Sequence, residues 1–312
     1  MSTSTRGACL CGAVTFAIAP PYRWFAHCHC SLCRKHHGSL FSTGLGVARA
    51  NLEWLGKSPK GGDAIVHYRA TAAFERPFCR HCGSTVPGAS HDAGFWHVPA
   101  GLLQGDPGAR PRSHIFVASK SPLFEIADAL PRFAAYPPGI DLPTIERRRE
   151  PAPPGTIVGS CLCNAVAFGV EAMPRRVVNC YCSLCRRRSG AGFTSTLVTT
   201  ASEFRWLRGQ ARVTHFKLPP PRQYGADFCA DCGSPVPSFA ATTVLLPAGA
   251  MDDPWKSSKG DDPWKSPGDT DLPALPAVHL YVGSKAPWVT IADEWPQFDA
   301  LPPPGQLKDY FP

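Results

Sequence analysis

The sequence predicts a mainly β fold that is divided into two tandem domains of the same kind. Three observations support this prediction: blocks of sequence recur in order, the apolar segments are short and β-branched, and cysteines recur at fixed spacings. The chain has 312 residues, of which 44% are hydrophobic, so it is long enough to bury two domain cores. Its 34 prolines favour turns and short strands over long helices.

An internal repeat organises the whole chain. Four blocks recur in the same order: GACLCGAVTF (7–16) and GSCLCNAVAF (159–168), CHCSLCRK (28–35) and CYCSLCRR (180–187), FCRHCGSTVP (78–87) and FCADCGSPVP (228–237), HIFVASKSPLFEIADALPRF (114–133) and HLYVGSKAPWVTIADEWPQF (279–298). Because order and spacing are kept, we interpret the chain as one domain written twice.

The composition places the domain boundaries. The proline- and charge-rich stretch 146–156 is typical of a linker, so we expect domains at 1–145 and 157–312, called here the first and second repeat. The second repeat carries about 17 extra residues near 252–271, including the duplicated DDPWKS. This stretch is rich in Asp, Pro, Gly, Lys and Ser and is predicted to be a surface loop. We expect the two domains to pack on each other.

Short segments bounded by glycine or proline predict the secondary structure. Strands are expected in AVTFAI (13–18), AIVHYRA (64–70), SHIFVAS (113–119), AVAFGV (165–170), VTHFKL (213–218) and VHLYVGS (278–284). Short helices are expected in SLCRKHHG and SLCRRRSG, and in the acidic segments IADALPRF and IADEWPQF.

Fourteen cysteines, seven in each repeat, give the strongest functional signal. The N-terminus lacks a signal-peptide pattern and no apolar run approaches the length of a membrane span, so we expect a cytoplasmic protein. Thiols are kept reduced there, and a regular cysteine pattern then indicates metal binding more than disulfides. An odd number per repeat divides naturally into four and three, which predicts four zinc ions per chain.

Four cysteines in each repeat match a closed structural zinc site. They form a C-x-C near the start of the repeat and a C-x-x-C-G near its middle: Cys9, Cys11, Cys79 and Cys82, then Cys161, Cys163, Cys229 and Cys232. Four thiolates satisfy tetrahedral zinc, and glycine permits the tight turn after the second pair. Such a site would clamp segments that lie some 70 residues apart.

The other three cysteines form C-x-C-x-x-C: Cys28, Cys30 and Cys33, then Cys180, Cys182 and Cys185. Three protein ligands with one open position are typical of catalytic zinc. Histidines near this motif in one repeat are not histidines in the other, while His114 and His279, which do correspond, start an apolar strand and are expected to be structural. A closed site with a distant fourth ligand stays open as the alternative.

A zinc ion held by three thiolates suits the binding of an incoming thiol, and it could polarise an aldehyde. Together these properties predict chemistry at a carbon–sulfur bond. Four cations follow the motif directly: Arg34, Lys35, Arg186 and Arg187. They could offset the charge of the thiolates or bind the carboxylates of a substrate.

The motifs GxCxCxAVxF, CxCSLCR, FCxxCGS and SKxPxxxIAD together resemble the family of glutathione-dependent formaldehyde-activating enzymes, whose domain is shared with centromere protein V. The resemblance covers almost the whole chain, once per repeat. It implies two tandem zinc-bound β-tent (Mss4-like) domains, with structural zinc at the four-cysteine sets and active-site zinc at the three-cysteine sets. It also implies glutathione as co-substrate and an adduct such as S-(hydroxymethyl)glutathione as substrate.

Two other functional classes compete with a carbon–sulfur lyase. A non-catalytic zinc module for protein or nucleic acid gains mild support from the net charge of +8. We consider nucleic acid unfavoured because the chain lacks a stripe of basic and aromatic residues for single strands. A disulfide-rich secreted protein is disfavoured by the odd cysteine count per repeat and by the absent signal peptide.

Overall fold

The computed structural model describes residues 4–56, 59–72, 74–90, 94–140, 142, 153, 156–220, 223–252, 255–257, 270–272 and 275–311. Most of the predicted linker and most of the predicted surface insertion lie outside these residues. No helix in the described part of the chain is long and apolar enough to cross a bilayer.

The first repeat consists of short strands and one short α-helix. Its strands are β1 Thr5–Ala8, β2 Thr15–Ile18, β3 Tyr22–Cys28, β4 Ser42–Ala48, β5 Leu52–Leu55, β6 Ile65–Val66, β7 Phe78–Cys79, β8 Gly88–Ala89, β9 Phe95–Pro99 and β10 His114–Ile115. Helix α1 spans Ser31–His37. The 3-10 helices are Arg49–Asn51, Pro59–Ala64, Ala100–Leu102 and Val117–Ser119.

The second repeat follows the same order, with one strand pair inserted before the counterpart of β10 and one strand and one α-helix added after it. Its strands are β11 Ile157–Ser160, β12 Ala167–Val170, β13 Val177–Cys180, β14 Thr194–Thr200, β15 Phe204–Arg208, β16 Val213–Lys217, β17 Gly225–Cys229, β18 Ser238–Ala240, β19 Thr243–Pro247, β20 Trp255–Ser257, β21 Thr270–Leu272, β22 Ala277–Leu280 and β23 Gln297–Phe298. Helices α2 and α3 span Ser183–Ser189 and Pro304–Leu307. The 3-10 helices are Ala201–Glu203, Gln210–Arg212, Ala248–Ala250 and Val282–Ser284.

Each repeat has one small and one larger sheet. The small sheets join β1, β2 and β5, and β11, β12 and β15. The larger sheets run in the order β10-β3-β4-β9-β8 and β18-β19-β14-β13-β22-β23. Strands β6 and β7, β16 and β17, and β20 and β21 pair separately. The mainly β fold class is therefore confirmed, and the C-x-C-x-x-C motif begins at the end of β3 in one sheet and of β13 in the other.

The predicted helices in the two acidic segments are wrong. Residues 126–133 and 291–298 contain no helix; the second segment ends in β23. The Asp128 carboxylate accepts a hydrogen bond from the backbone N–H of Leu130, and Asp293 accepts one from Trp295. This side-chain turn competes with a helix, and a proline follows within three residues in both segments.

Three predicted strands are much shorter than expected. In 64–70 only Ile65–Val66 is a strand. The other two end just before a residue with a left-handed backbone conformation. In 113–119 only His114–Ile115 is a strand, and in 278–284 the strand ends at Leu280. Phe116 and Tyr281 then adopt left-handed backbone conformations, with φ of 58° and 59°. A 3-10 helix follows each of them, because a residue in this conformation cannot continue a strand.

Side chains of the two repeats share contacts across their boundary. One apolar cluster contains Leu45 and Leu102 of the first repeat together with Leu197 and Leu246 of the second. The backbone N–H of Gly101 donates to the carbonyl of Gly190 at 2.9 Å, so the chain approaches too closely there for a side chain on Gly101. These contacts set the surroundings of the cysteine clusters.

Candidate metal centres and active site

The first cysteine set of each repeat forms a compact four-thiol cluster. The Sγ atoms of Cys9, Cys11, Cys79 and Cys82 all lie within 4.8 Å of one another, and so do those of Cys161, Cys163, Cys229 and Cys232. Cys9 and Cys11 lie in the turn after β1 and not within a strand. Cys79 and Cys82 flank a turn that ends at Gly83. The φ of Gly83 is 69°, a left-handed conformation that glycine adopts without strain.

The backbone around these clusters provides hydrogen bonds to sulfur. The N–H of Val14 donates to Cys9 Sγ at 3.3 Å, and the N–H of Val166 donates to Cys161 Sγ at 3.2 Å. In the first repeat, Ser84 Oγ accepts from the backbone N–H of Leu10 at 3.0 Å, which ties the two cysteine-bearing turns together. The second repeat forms the same bond between equivalent residues. Both clusters are therefore held by the backbone.

The spacing of the sulfur atoms fits a tetrahedral metal ion. Cys9 Sγ lies 3.5 Å from Cys11 Sγ, and Cys11 Sγ lies 3.7 Å from Cys79 Sγ. A disulfide would need about 2.05 Å, and all fourteen cysteines are free. Zinc–sulfur bonds of about 2.3 Å in a tetrahedron put neighbouring sulfurs roughly 3.8 Å apart. These clusters can hold metal ions.

The second cysteine set of each repeat forms a three-thiol cluster. The Sγ atoms of Cys28, Cys30 and Cys33 lie within 4.8 Å of one another, and those of Cys180, Cys182 and Cys185 do the same. Cys30 and Cys182 are the N-caps of α1 and α2, where their sulfurs accept from the backbone N–H three residues on. A helix N-terminus favours a negatively charged sulfur.

The donor count differs between the two kinds of cluster. Within the described residues, no fourth cysteine, histidine or carboxylate lies close enough to join either three-thiol cluster. One thiol of each has its pKa held well below the ordinary value by hydrogen bonds from the other two, Cys33 in the first repeat and Cys185 in the second. Three thiols that favour a shared negative charge suit a soft divalent metal ion.

An arginine that the sequence analysis missed faces the first three-thiol cluster. Burial alone would lower the pKa of the Arg76 guanidinium, but Cys33, Cys30 and Cys28 beside it raise that pKa. Arg76 also hydrogen-bonds Cys33. No motif marks this residue, because its equivalent in the second repeat is Ala226.

The second three-thiol cluster has different neighbours. The Tyr224 hydroxyl donates to Cys185 Sγ at 3.5 Å, and Thr194 also hydrogen-bonds Cys185. Burial, and then the nearby Cys185, raise the pKa of Tyr224 well above its ordinary value. The two clusters thus share their cysteines but not the side chains around them.

The four predicted cations differ in whether their side chains bond within their own repeat or to the other repeat. Arg34 is buried, and Arg186 donates to the carbonyls of Tyr181 and Ser284 within its own repeat. Lys35 and Arg187 instead reach across to the other repeat.

The two crossing cations donate to equivalent carbonyls, those of Ser160 and Ala8, and each makes further contacts of its own. Lys35 Nζ lies 2.6 Å from the Asp252 carboxylate and donates to the carbonyl of Ser160 at 2.8 Å; both side chains of the ion pair are 3% exposed. Arg187 donates to the carbonyls of Ala8, Cys9 and Leu10. Each three-thiol helix is thereby anchored beside the four-thiol turn of the other repeat. The binding of substrate carboxylates by these cations stays a prediction.

Histidine–aspartate pairs recur behind both three-thiol clusters. His114 Nε2 lies 3.0 Å from Asp128, and His279 Nε2 lies 2.8 Å from Asp293. The Nδ1 atoms of the same histidines lie 2.8 Å from His29 Nε2 and 2.9 Å from the Tyr181 hydroxyl.

The residues that contact the Nδ1 atoms of these histidines belong to the metal-binding motif. His29 and Tyr181 each stand between the first two cysteines of a C-x-C-x-x-C motif. The sequence predicts structural roles for His114 and His279, and their partners Asp128 and Asp293 are the last residues of the two SKxPxxxIAD motifs.

Comparison with known proteins agrees with the internal repeat. A family model described as glutathione-dependent formaldehyde-activating enzyme matches residues 4–119 and 156–265. A Halomonas elongata protein, provisionally named as such an enzyme, is 32% identical over 143 residues, which cover 43% of this chain and 79% of that protein. The crystal structure of a Rhodobacter sphaeroides protein is 24% identical, and the match covers 31% of this chain and 88% of that one with a TM-score of 0.27.

Proposed function

Because the chain belongs to the family of glutathione-dependent formaldehyde-activating enzymes, we propose that it is a zinc-dependent carbon–sulfur lyase or synthase. Its substrate would be a thiol–aldehyde adduct of the S-(hydroxymethyl)glutathione type, with glutathione as the leading thiol. Each repeat would be one domain that holds two zinc ions, four per chain. The fourteen free thiols favour a reducing compartment, which supports a cytoplasmic location.

The observation that carries this proposal is the difference between the two kinds of cluster. The four-thiol sets match closed tetrahedral sites, while the three-thiol sets offer three described donors each. Closed sites are typical of structural zinc, and sites with three protein ligands are typical of catalytic zinc. The catalytic centre is therefore proposed at Cys28, Cys30 and Cys33 and, in the second repeat, at Cys180, Cys182 and Cys185.

The proposed reaction adds a thiol to an aldehyde, and it is reversible. A carbon–sulfur bond forms, the electron pair of the carbonyl bond moves to oxygen, and the thiol proton ends on that oxygen to give a hydroxyl. Bound zinc would supply two things: it stabilises a thiol as thiolate, and it polarises a carbonyl. The reverse reaction breaks the same bond and releases thiol and aldehyde.

The residues around the first cluster support the binding of a negatively charged substrate. The Arg76 guanidinium stays charged beside the three thiols, and an arginine can pair with a carboxylate through two hydrogen bonds. In the second cluster, the Tyr224 hydroxyl lies against Cys185 and can donate a hydrogen bond to an oxygen that gains charge. We propose that Arg76 positions substrate in the first site.

The contacts between the repeats support a joint unit. Lys35 and Arg187 each anchor a three-thiol helix against the other repeat, and both repeats contribute to one apolar cluster. We propose that the two domains pack on each other and that each stabilises the catalytic helix of its neighbour.

The test is the rate at which glutathione and formaldehyde exchange with their adduct, measured by exchange NMR with zinc-loaded protein. The proposal predicts a rate that rises in proportion to protein and returns to the uncatalysed rate in the Cys30→Ser/Cys182→Ser double variant. A matched control is Cys11→Ser, which removes one ligand of a four-thiol cluster. This variant should affect activity only through the fold, so its melting temperature should fall. An uncatalysed rate with folded protein that holds four zinc ions would contradict the proposal.

A further inference from the structure

A cavity of about 430 Å³ lies between the two repeats, and both repeats line it. The first repeat contributes Phe41 and His114, among others, and the second contributes Phe193 and His279. Its size lies in the range typical of small-molecule sites. The proposed carbon–sulfur chemistry does not use it.

The cavity is separate from the metal-binding clusters because it lies on the other face of the sheets. In β3, His27 pairs in register with Thr43 and His114, and all three line the cavity. The next residue along the strand is Cys28, which points to the opposite face. Among the described residues that line the cavity there is no cysteine.

The same arrangement holds in the second repeat. Asn179 and His279 pair in register and line the cavity, while Cys180 follows on the opposite face. The cavity therefore faces the histidine–aspartate pairs of both repeats and not their thiols.

Carboxylates dominate the charge of the cavity wall. Among the described residues, the charged side chains that line it are those of Glu125, Asp128, Asp293 and Arg110. The Arg110 guanidinium is already engaged by both carboxylate oxygens of Asp106, at 2.8 Å each. An anionic ligand would therefore meet more negative than positive charge, whereas a cation would be attracted.

The histidine that contacts Asp128 leaves that negative charge in place. Burial lowers the pKa of His114 in spite of its bond to Asp128, so this ring is neutral near pH 7. Asp128 thus keeps its charge while it accepts a hydrogen bond from His114.

Aromatic rings form the inner wall of the cavity. Phe41 contacts Phe124 and Phe193, with ring centroids 4.6 and 5.3 Å apart, and Trp288 of the second repeat also lines the space. The faces of aromatic rings attract cations, and they bury apolar groups. The side chains of Asp128 and Asp293 are 33% and 37% exposed, whereas the rings of this wall from Phe41, Phe193 and Trp288 are buried. The carboxylates therefore lie nearer to solvent than the aromatic wall does.

We propose that this cavity binds a small organic cation: an amine with an aromatic or apolar body, whose ammonium group pairs with the carboxylates of Asp128 and Asp293 while its body lies against the aromatic wall. The ligand would contact both repeats, so one molecule binds per chain. This site is independent of the proposed enzymatic function.

The test uses calorimetric titration of the zinc-loaded full chain with three probes of similar size: benzylamine, benzyl alcohol and benzoate. We expect saturable binding of one benzylamine per chain and at least tenfold weaker binding of the alcohol and of benzoate. Asp128→Asn/Asp293→Asn should lower the benzylamine affinity at least tenfold. Asp231→Asn, which changes an exposed carboxylate outside the cavity lining, should leave it unchanged.

A second variant tests the cavity without altering its carboxylates, in case the double substitution impairs folding. Ala292 is exposed and lines the cavity, so Ala292→Phe should occupy its opening and abolish benzylamine binding without a change of charge. The absence of saturable benzylamine binding would overturn the proposal. So would benzoate binding as tight as that of benzylamine, or an affinity that neither variant alters.

Discussion

Phe78 and Phe228 occupy equivalent positions in the two repeats, and their rings contact each other with centroids 6.3 Å apart. Each ring also covers a glycine of the other repeat: a Cβ on Gly83 would lie 2.4 Å from the Phe228 ring, and one on Gly233 would lie 2.2 Å from the Phe78 ring. Both glycines end a C-x-x-C turn and have positive φ. The contact is reciprocal, as expected for an interface between two copies of one domain.

Replacement of Phe78 by alanine should destabilise the protein strongly. The side chain is 1% exposed, and loss of a buried phenylalanine costs about 3–5 kcal/mol. Phe239→Ala is the matched control, because that ring is 51% exposed and its loss should change the free energy of unfolding by about 0.5 kcal/mol or less. Urea unfolding followed by circular dichroism compares the two. A loss of unfolding free energy for Phe78→Ala that is as small as that for Phe239→Ala would contradict a stabilising role of the Phe78 ring.

The buried ion pair between Lys35 and Asp252 leads to a second prediction. Lys35→Met leaves the Asp252 carboxylate buried without its cation, so we expect a loss of about 3–5 kcal/mol in the free energy of unfolding. Lys35→Met/Asp252→Asn should recover part of this loss because no buried charge remains. Arg212→Gln breaks a solvent-exposed pair and should cost about 1 kcal/mol or less. A loss for Lys35→Met as small as that of Arg212→Gln would contradict the prediction.

Loss of one cysteine should have different effects in the two kinds of cluster. Cys79 holds the β7 segment against the turn after β1, so Cys79→Ala should unfold the first repeat and lower the melting temperature sharply. Cys30 belongs to a local chelate at the start of α1, so Cys30→Ala should remove one zinc ion and retain the fold. Elemental analysis and circular dichroism distinguish these outcomes, with four zinc ions expected in the unmodified protein. Equal collapse of both variants would assign a structural role to the three-thiol cluster.

The buried His37 predicts a pH dependence of stability. Burial lowers its pKa from 6.5 to about 4, against an opposing effect of Cys33, and His97 and Arg76 lower it further. The folded protein keeps this ring neutral, whereas the unfolded chain takes up a proton below about pH 6.5. Stability is therefore intact above that pH and declines as the pH falls towards 4, by about 2 kcal/mol at pH 5.

The variant His37→Asn isolates this effect. Asparagine can still donate to the carbonyl of Ser189, which lies 2.6 Å from His37 Nδ1, but it does not titrate. Between pH 7 and pH 5, urea unfolding should show a loss that is about 2 kcal/mol smaller in the variant than in the unmodified protein. Above pH 7 the free energies of unfolding of the two proteins should change with pH in parallel. An identical loss of this free energy at pH 5 in both proteins would contradict the prediction.

The repeated motifs were sufficient to predict the fold class and the grouping of the cysteines. The partition into four and three follows from order and spacing along the chain, and the sulfur atoms are grouped in that way in space. The tight turn of the C-x-x-C-G motif could also be predicted, because positive φ at Gly83 and Gly233 has a local cause.

Features that depend on contacts between distant segments could not be predicted. Arg76 lies 43 residues beyond Cys33 and has no equivalent in the second repeat, so neither motif nor repeat marks it. The sequence predicts that Lys35 offsets thiolate charge or binds a substrate carboxylate, but it gives no sign of the bond to Asp252, which depends on how the repeats meet. The bonds of Asp128 to His114 and of Asp293 to His279 likewise join segments that only the folded chain brings together.

The central claim is that the three-thiol clusters hold metal ions that accept an external thiol. The most direct measurement replaces zinc by cobalt and titrates glutathione while the visible cobalt–thiolate spectrum is recorded. We predict a saturable spectral change that is lost in Cys30→Ala/Cys182→Ala, with cobalt at the four-thiol sites unaffected. A spectrum and a metal content that stay constant up to millimolar glutathione would contradict the claim and would favour a non-catalytic zinc module.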